Sequence, residues 1–249
     1  MSYPNFKNKH LEEALFTSEE FIDFAHKTIR TKFPKKWIIT FQRHAEGFIK
    51  RKFKLRRIKK AFLAGNVYLN RNVGLIKIGG IGSPHACTVF EELIALGGTE
   101  FVIIGTAGGL QKRGLFICNR AIRDEGTSSH YLKHSKYAYP HNEFTNKLQR
   151  FLDSKNLKVE SGTSWTIDAP YRETKAEIAA YKKEGVVTVE MESSAMFSVA
   201  KCRGVKIAAI FSVSDLVGGG AWEPEFDKKH YKINFHKAIV AAYEYLSKN

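Results

Sequence analysis

The sequence contains little cysteine and no long apolar run. Its 249 residues include three cysteines, without a CxxC or histidine-flanked spacing that would suggest a zinc site. We therefore expect no bound metal, reduced thiols and a cytoplasmic location. No apolar stretch approaches the ~18 residues that a membrane-spanning helix requires. Residues 1–9 are polar and lack the apolar core of a secretory signal, so we expect neither a membrane protein nor an exported one.

Acidic residues are scarce relative to basic ones. The formal net charge is +15 and the pI is near 9.6. This balance predicts a surface that attracts anions, whether phosphate esters, nucleotides, RNA or anionic lipid. Residues 50–60 concentrate the charge among apolar side chains, so an RNA-binding protein is the alternative to an enzyme.

Apolar runs alternate with helical patterns in the order expected of an α/β fold. Residues 77–105 form a strand, a small-residue loop, a helix and a second strand, which is typical of a largely parallel sheet with helices on its faces. Thr17 and Glu20 form a capping-box pattern at the start of the first helix. We expect strands at 37–41, 67–69, 73–78, 100–105, 186–189 and 205–213, and helices at 17–32, 85–96, 193–202 and 228–246.

Two glycine-rich loops follow predicted strands, at residues 79–84 and 105–110. Small residues let backbone amides approach a ligand closely, and Thr106 adds a hydroxyl donor for an oxyanion or a ribose. Such loops serve equally often as tight turns between strand and helix.

Acidic residues also stand at predicted strand ends. Glu190 and Glu192 flank Met191 where a strand turns into a helix, and Asp215 follows the apolar strand 205–213. Acids at these places often only cap a helix. A carboxylate also matches a cis-diol with its two oxygens, and an acid beyond a core strand can protonate a leaving group.

Three segments, in this order and spacing, resemble the nucleoside phosphorylase superfamily, which includes purine nucleoside phosphorylases, uridine phosphorylases and nucleosidases. They are IGGIGSPHACTVFEELIALG from residue 78, GTAGGL from residue 105 and VEMESSAMFSVA from residue 189. The resemblance implies a three-layer α/β/α sandwich around a mixed, largely parallel central sheet. It is clear from residue 78 onward, and we expect a single domain over 1–249 with a divergent N-terminal region, 1–71.

The resemblance also implies roles for the ribose side of a site. Glu192 would grip the 2′ and 3′ hydroxyls of the ribose, with Met191 beside it and Glu190 at the edge. Thr106 would contact phosphate, and the backbone of Ala107 and Gly108 would line the pocket.

On the base side, Ser214 and Asp215 resemble the Ser-Asp pair of the purine enzymes, in which the acid bonds to N7 of the base. Uridine phosphorylases lack this acid, so Asp215 favours purines. Residues 165–173 stand where the family has its base-proximal loop. Trp165 and Tyr171 would stack on the base, and Arg172 would contact base or phosphate or pair at the surface.

The sequence departs from the family at the phosphate side. The usual Gly-Asp-Pro-x-Arg loop is absent, and residues 39–43 keep only its arginine, Arg43, as a phosphate ligand. The other family arginine is replaced by Ile103. Either another cation holds phosphate or water replaces it; the candidate cations are Arg56, Arg57 and Arg123.

These observations together predict a nucleoside phosphorylase that converts a purine ribonucleoside to free base and ribose 1-phosphate. Catalysis would rest on Asp215 and Glu192, with inorganic phosphate as co-substrate and no cofactor. The resemblance implies a homo-oligomer, either a dimer or a hexamer. A uridine phosphorylase and a nucleosidase that uses water are the enzymatic alternatives.

Overall fold

The computed structural model describes residues 3–25, 32–58, 65–70 and 72–248. Within these ranges eleven strands form one sheet. The strands are β1 Lys36–Thr40, β2 Arg56–Ile58, β3 Gly65–Leu69, β4 Val73–Ile78, β5 Glu100–Gly109, β6 Leu115–Asp124, β7 Tyr137–Ala138, β8 Glu160–Ile167, β9 Val186–Glu190, β10 Lys206–Leu216 and β11 Glu223–Pro224. The α-helices are α1 Ser18–Ala25, α2 Arg43–Phe53, α3 Ser83–Ala95, α4 Asn142–Ser154, α5 Lys175–Lys183, α6 Ser193–Arg203 and α7 Lys229–Lys248.

The sheet is mixed, and its longest pairings are parallel. β5 pairs in parallel with β1 and β10, and β8 does so with β6 and β9. β9 also pairs antiparallel with β5, so the path from β5 through β10, β6, β8 and β9 returns to β5. This circuit brings the ends of distant segments together.

Helices cover both faces of the sheet. Apolar side chains of α3 and α6 pack on one face around the buried rings of Phe90, Phe101 and Phe197. Those of α2, α4 and α7 pack on the other face, around Phe144 and Phe235. The predicted α/β/α sandwich around a mixed, largely parallel sheet is therefore confirmed.

Two predicted boundaries differ from the structure in a way that matters for the site. The glycine-rich segment at 105–109 continues β5 instead of forming a loop, and Ser214 and Asp215 lie within β10 instead of beyond it. The reason is that β5 and β10 keep pairing past a bulge between Val213 and Asp215. Both strands end in residues with a weak strand signal, and pairing between the strands keeps these residues extended.

The N-terminal helix begins as predicted. Glu20 Oε2 accepts from the backbone amide of Thr17 over 2.8 Å, and the amide of Glu20 donates to Thr17 Oγ1 over 3.2 Å. Positions 26–31 of the helix predicted over 17–32 lie outside the described residues. Among the helices that are described, none has the length and apolar character needed to cross a bilayer.

Candidate active site

The ends of three strands meet at one edge of the sheet. Gly108 of β5 pairs with Val189 of β9 and with Asp215 of β10. A Cβ atom at Gly108 would lie 2.9 Å from Cγ1 of Val189 and 3.5 Å from Oδ2 of Asp215, so a side chain there would push the strands apart. The three segments that the sequence singled out around residues 106, 190 and 215 therefore lie together.

Glu192 is buried at the N-cap of α6 and tied to the first glycine-rich loop. Its Oε1 accepts a 2.6 Å hydrogen bond from the backbone amide of Gly82. Ser83 Oγ donates to the carbonyl oxygen of Met191 over 2.7 Å. Gly82 has a φ of 95°, which favours glycine. Two hydrogen bonds thus hold the loop against the segment predicted to bind ribose.

The environment of Glu192 changes its protonation. Burial raises the pKa of Glu192 to about 8, and repulsion from Glu190 adds to the shift, whereas the hydrogen bond from Gly82 opposes it. Hydroxyl groups that donate to the carboxylate favour its ionised form. A bound diol would therefore draw the proton out of this carboxyl near neutral pH.

Glu190 is fully engaged within the protein. Its Oε1 accepts from Thr166 Oγ1 at 2.6 Å and from Ser164 Oγ at 3.2 Å, and its Oε2 accepts from the backbone amides of Glu192 at 2.9 Å and Ser193 at 2.7 Å. These amides belong to the unpaired N–H groups of a helix start. The carboxylate fixes the turn from β9 into α6, so the predicted substrate contact of Glu190 is corrected to a positioning role.

Asp215 presents a carboxylate with two internal donors. Ser214 Oγ donates to Oδ1 over 2.9 Å, and Trp222 Nε1 donates to Oδ2 over 2.9 Å. Ser214 is itself buried, so its predicted part in the site is played through Asp215. The carboxylate is held in one orientation by two donors from different segments.

A cavity of about 1400 Å³ opens beside Asp215. Its wall combines aromatic, acidic and basic side chains: Gln111, Pro170, Tyr171, Glu173, Lys175, Ile178, Ala179, Lys182, Lys183, Asp215, Val217, Gly218, Gly220, Ala221, Trp222 and Phe226. Tyr171 is 100% exposed and Trp222 is 63% exposed. Both aromatic rings are thus accessible, and stacking of Tyr171 on a base stays a prediction.

Trp165 is not available to a ligand. Its side chain is 0% exposed, packs against Tyr181 with ring centroids 4.8 Å apart, and donates from Nε1 to Asp124 Oδ2 over 2.9 Å. The predicted stacking by Trp165 is therefore wrong in this structure, because the alternation along β8 points its ring into the core. Arg172 is exposed and is not part of the cavity wall, which leaves its base contact a prediction.

Thr106, which was predicted to contact phosphate, lies in a neutral pair. Thr106 Oγ1 accepts a 2.7 Å hydrogen bond from Gln42 Nε2. Arg43 follows Gln42 as the first residue of α2, where its side chain is exposed. Ala107 is buried in β5, and Ile103 lies in the apolar core with 1% exposure. Among the predicted phosphate cations, Arg43 is the one that directly follows Gln42, the residue bonded to Thr106.

The other predicted cations are placed elsewhere. Arg123 donates to Ser128 Oγ, to Ser135 Oγ and to the carbonyl oxygens of Lys133 and Leu132 over 2.8–3.2 Å. All of its nitrogens stabilise the segment after β6, so it is corrected to a structural residue. Arg56 and Arg57 are exposed on β2, at the far edge of the sheet from β10.

Comparison with known proteins matches most of the chain to one family. The sequence model of the phosphorylase superfamily matches residues 43–246. The chain belongs to the phosphorylase superfamily.

Relatives of this phosphorylase superfamily protein carry several specificities. It is 28% identical over 168 residues to a guanosine phosphorylase of Halorubrum lacusprofundi, covering 64% of this chain and 70% of that one. It is 25% identical over 206 residues to a DeoD-type purine nucleoside phosphorylase of Haemophilus ducreyi, covering 80% and 85%. The crystal structure of an AMP nucleosidase from Bacteroides thetaiotaomicron shares the fold, with a TM-score of 0.74, 19% identity and coverage of 94% and 100%.

Three residues of this superfamily member's site escaped the sequence interpretation. Gln42 directly precedes Arg43 in the sequence. Its hydrogen bond to Thr106 joins residues 64 positions apart, so the sequence does not reveal it. Trp222 lies seven residues beyond Asp215 in a glycine-rich turn that carries no periodic signal. Glu173 is the last residue of the segment predicted to lie near the base. The sequence pattern assigned it no role of its own, and the structure places it in the cavity wall.

Proposed function

We propose that this protein cleaves the N-glycosidic bond of purine ribonucleosides and transfers the ribosyl group to inorganic phosphate. The observation that carries the proposal is that Gly108 pairs both with Val189, at the end of the strand that leads to Glu192, and with Asp215. Asp215 in turn lines a cavity with aromatic side chains in its wall. A diol-matching carboxylate on one side and a base-facing acid on the other are what this reaction needs.

The reaction places charge on both fragments. As the C1′–N9 bond breaks, its electron pair stays with the base, and C1′ gains oxocarbenium character. Glu192 would orient the ribose through its hydroxyls, and Asp215 would hydrogen-bond to the base. A phosphate oxygen would then form the new bond to C1′, giving ribose 1-phosphate and free base.

Phosphate as acceptor is supported by charge and by one contact. The net charge of +15 favours anion binding, and Thr106 resembles the hydroxyl residue that contacts phosphate in the family. Arg43, at the start of a helix, would add a cation beside the helix N-terminus. We expect no organic cofactor and no metal.

Hydrolysis is the second candidate, because the phosphate side has lost charge. Ile103 fills an arginine position with a buried apolar side chain, and Thr106 is bonded to the neutral amide of Gln42. A water molecule needs no cation to hold it. The product would then be ribose instead of ribose 1-phosphate.

One experiment separates these reactions. The protein is incubated with inosine, guanosine, adenosine and uridine, with and without phosphate, and the base and sugar products are separated by chromatography. Phosphate-dependent release of a purine with ribose 1-phosphate supports the proposal. Phosphate-independent release of ribose identifies a nucleosidase, release from uridine alone contradicts the purine assignment, and salt-sensitive RNA affinity without base release supports an RNA-binding protein.

We also propose that the protein forms a homo-oligomer. Leu11, Leu15 and Phe16 are 74%, 99% and 66% exposed near the N-terminus, and large exposed apolar side chains in one segment are typical of interfaces. Light scattering after size exclusion tests this. A monomer at micromolar concentration contradicts it, and Leu15→Ser should weaken an assembly that uses this segment.

A further inference from the structure

Two carboxylates line the same cavity on different segments. Asp215 belongs to β10, and Glu173 follows the short 3₁₀-helix Pro170–Arg172. Both side chains belong to the wall of the cavity beside the strand ends. Glu173 is partly buried there. A ligand in this cavity would therefore meet two acidic groups.

The two carboxylates differ in their partners. Asp215 accepts one hydrogen bond on each oxygen, from Ser214 and from Trp222. No side chain or amide in the described part of the chain donates to the carboxyl of Glu173. The structure thus equips Asp215 as an acceptor with a fixed orientation and leaves Glu173 free to hold and donate a proton.

The charges around Glu173 support its protonated form. Burial raises the pKa of Glu173 to about 7, and repulsion from Asp215 and then from Glu177 contributes. Lysines also line the cavity, at positions 175, 182 and 183 of α5, but Lys182 Nζ is turned to the carbonyl oxygen of Gly218 over 2.7 Å. Two carboxylates that share one cavity commonly hold a single proton between them.

We propose that Glu173 delivers the proton to the departing purine, while Asp215 accepts a hydrogen bond from the same base. This inference rests on the proposed purine cleavage and identifies its general acid. As the C1′–N9 bond breaks, the proton moves from the Glu173 carboxyl to a nitrogen of the base. Glu173 is left as a carboxylate and takes a proton from water after the base leaves.

The test uses a substrate that leaves without a proton. In 7-methylguanosine the imidazole ring already carries a positive charge, so its base departs as a neutral molecule. For Glu173→Gln we expect kcat on guanosine to fall by about 10²–10³-fold, the range of general acid catalysis, and kcat on 7-methylguanosine to stay within about threefold. The matched control is Glu143→Gln, an exposed glutamate of α4 paired with Lys147.

The pH profile gives a second readout. In the wild type, kcat on guanosine should fall as pH rises through about 7, because Glu173 loses its proton there. Glu173→Gln should lack this limb, and Glu143→Gln should keep it. Replacing Asp215 by Asn should lower the pKa of Glu173, measured by carbon-13 NMR in the ligand-free protein, because one repulsive charge is removed.

The outcomes separate the inference from the function on which it rests. Equal losses on guanosine and 7-methylguanosine, an unchanged pH limb, or near-normal turnover of guanosine by Glu173→Gln would each overturn the role of Glu173 while purine cleavage by the wild type stands. If the wild type releases no base from any purine nucleoside, the proposed function fails first, and the role of Glu173 with it.

Discussion

The backbone amide of Gly82 donates a 2.6 Å hydrogen bond to Oε1 of Glu192, across 110 positions of sequence. This bond ties the loop before α3 to the first turn of α6, and it orients a buried carboxylate toward the strand ends. In the proposed reaction that orientation decides how the ribose is held. The bond therefore makes the diol contact testable at a single residue.

Glu192→Gln keeps an oxygen that accepts from Gly82 but removes the charge. We expect kcat/KM on inosine to fall by about 10–100-fold, as expected for a lost hydrogen bond to a charged group. The deficit should be much smaller on 2′-deoxyinosine, which lacks one of the hydroxyls. Steady-state kinetics on both substrates, with Glu143→Gln as control, check this. An equal loss on the two nucleosides would count against a diol contact.

Asp215→Asn preserves the shape of the side chain and removes its charge. We expect kcat on purine nucleosides to fall by about 10–100-fold with little change in substrate affinity, because the proposed hydrogen bond between the carboxylate and the departing base is lost. Trp222→Phe, which removes the donor to Oδ2 and keeps an aromatic ring in the cavity wall, should cause a smaller loss of the same kind. Near-normal turnover of inosine and adenosine by Asp215→Asn would refute this role.

The parts of the fold that were predicted have strong local signals. The strands around residues 73–78, 100–105 and 186–189 are apolar and rich in β-branched residues. Their sequence pattern therefore predicts buried strands, and the structure buries them. β8 was missed because Glu160–Ile167 is mostly polar. Its Ser164 and Thr166 are buried and donate to Glu190, a contact that local pattern does not reveal.

One missed helix did carry a signal. In α4, Phe144, Leu148 and Leu152 recur at four-residue intervals and are buried. That spacing is typical of an amphipathic helix.

The candidate site also has parts that the sequence predicts and parts that only long-range contacts decide. The sequence does not distinguish the roles of Glu190 and Glu192, which flank Met191. The structure separates them, because donors from β8 and from the start of α6 saturate Glu190, whereas Glu192 faces the loop at Gly82. Which carboxylate remains for a ligand depends on long-range pairing.

Tyr171 and Trp165 should behave oppositely on substitution. Tyr171→Ala removes an exposed ring from the cavity, so we expect KM for purine nucleosides to rise by about 3–30-fold, as for a lost aromatic contact, with no change in stability. Trp165→Phe removes the partly buried hydrogen bond to Asp124 and shrinks a buried ring, so it should lower the free energy of unfolding by about 1–3 kcal/mol. Chemical denaturation and kinetics on both variants decide the matter. A KM effect at Trp165 without loss of stability would restore its predicted stacking role.

The buried carboxyl of Glu192 predicts a dependence of stability on pH. Its folded pKa of about 8 lies above the ordinary value of 4.5, so between these pH values the folded protein retains a proton that the unfolded chain releases. The free energy of unfolding should therefore fall as pH rises from about 4.5 to 8. Glu192→Gln lacks this contribution and should gain roughly 2–4 kcal/mol relative to wild type between pH 5 and pH 8. Parallel stability curves for the two proteins would contradict the raised pKa.

Arg43 is the residue on which the proposed phosphorolysis can be tested. It is exposed at the start of α2, directly after the glutamine that binds Thr106, and Ile103 is a buried apolar residue. Arg43→Ala should raise KM for phosphate by about 10-fold or more, the effect of losing a charged hydrogen bond, and leave KM for the nucleoside near its wild-type value. Lys50→Ala, on the same helix, is the control for a general loss of positive charge. If the wild type needs phosphate and Arg43→Ala binds it normally, another cation holds the anion, and a neighbouring subunit becomes the place to look for it.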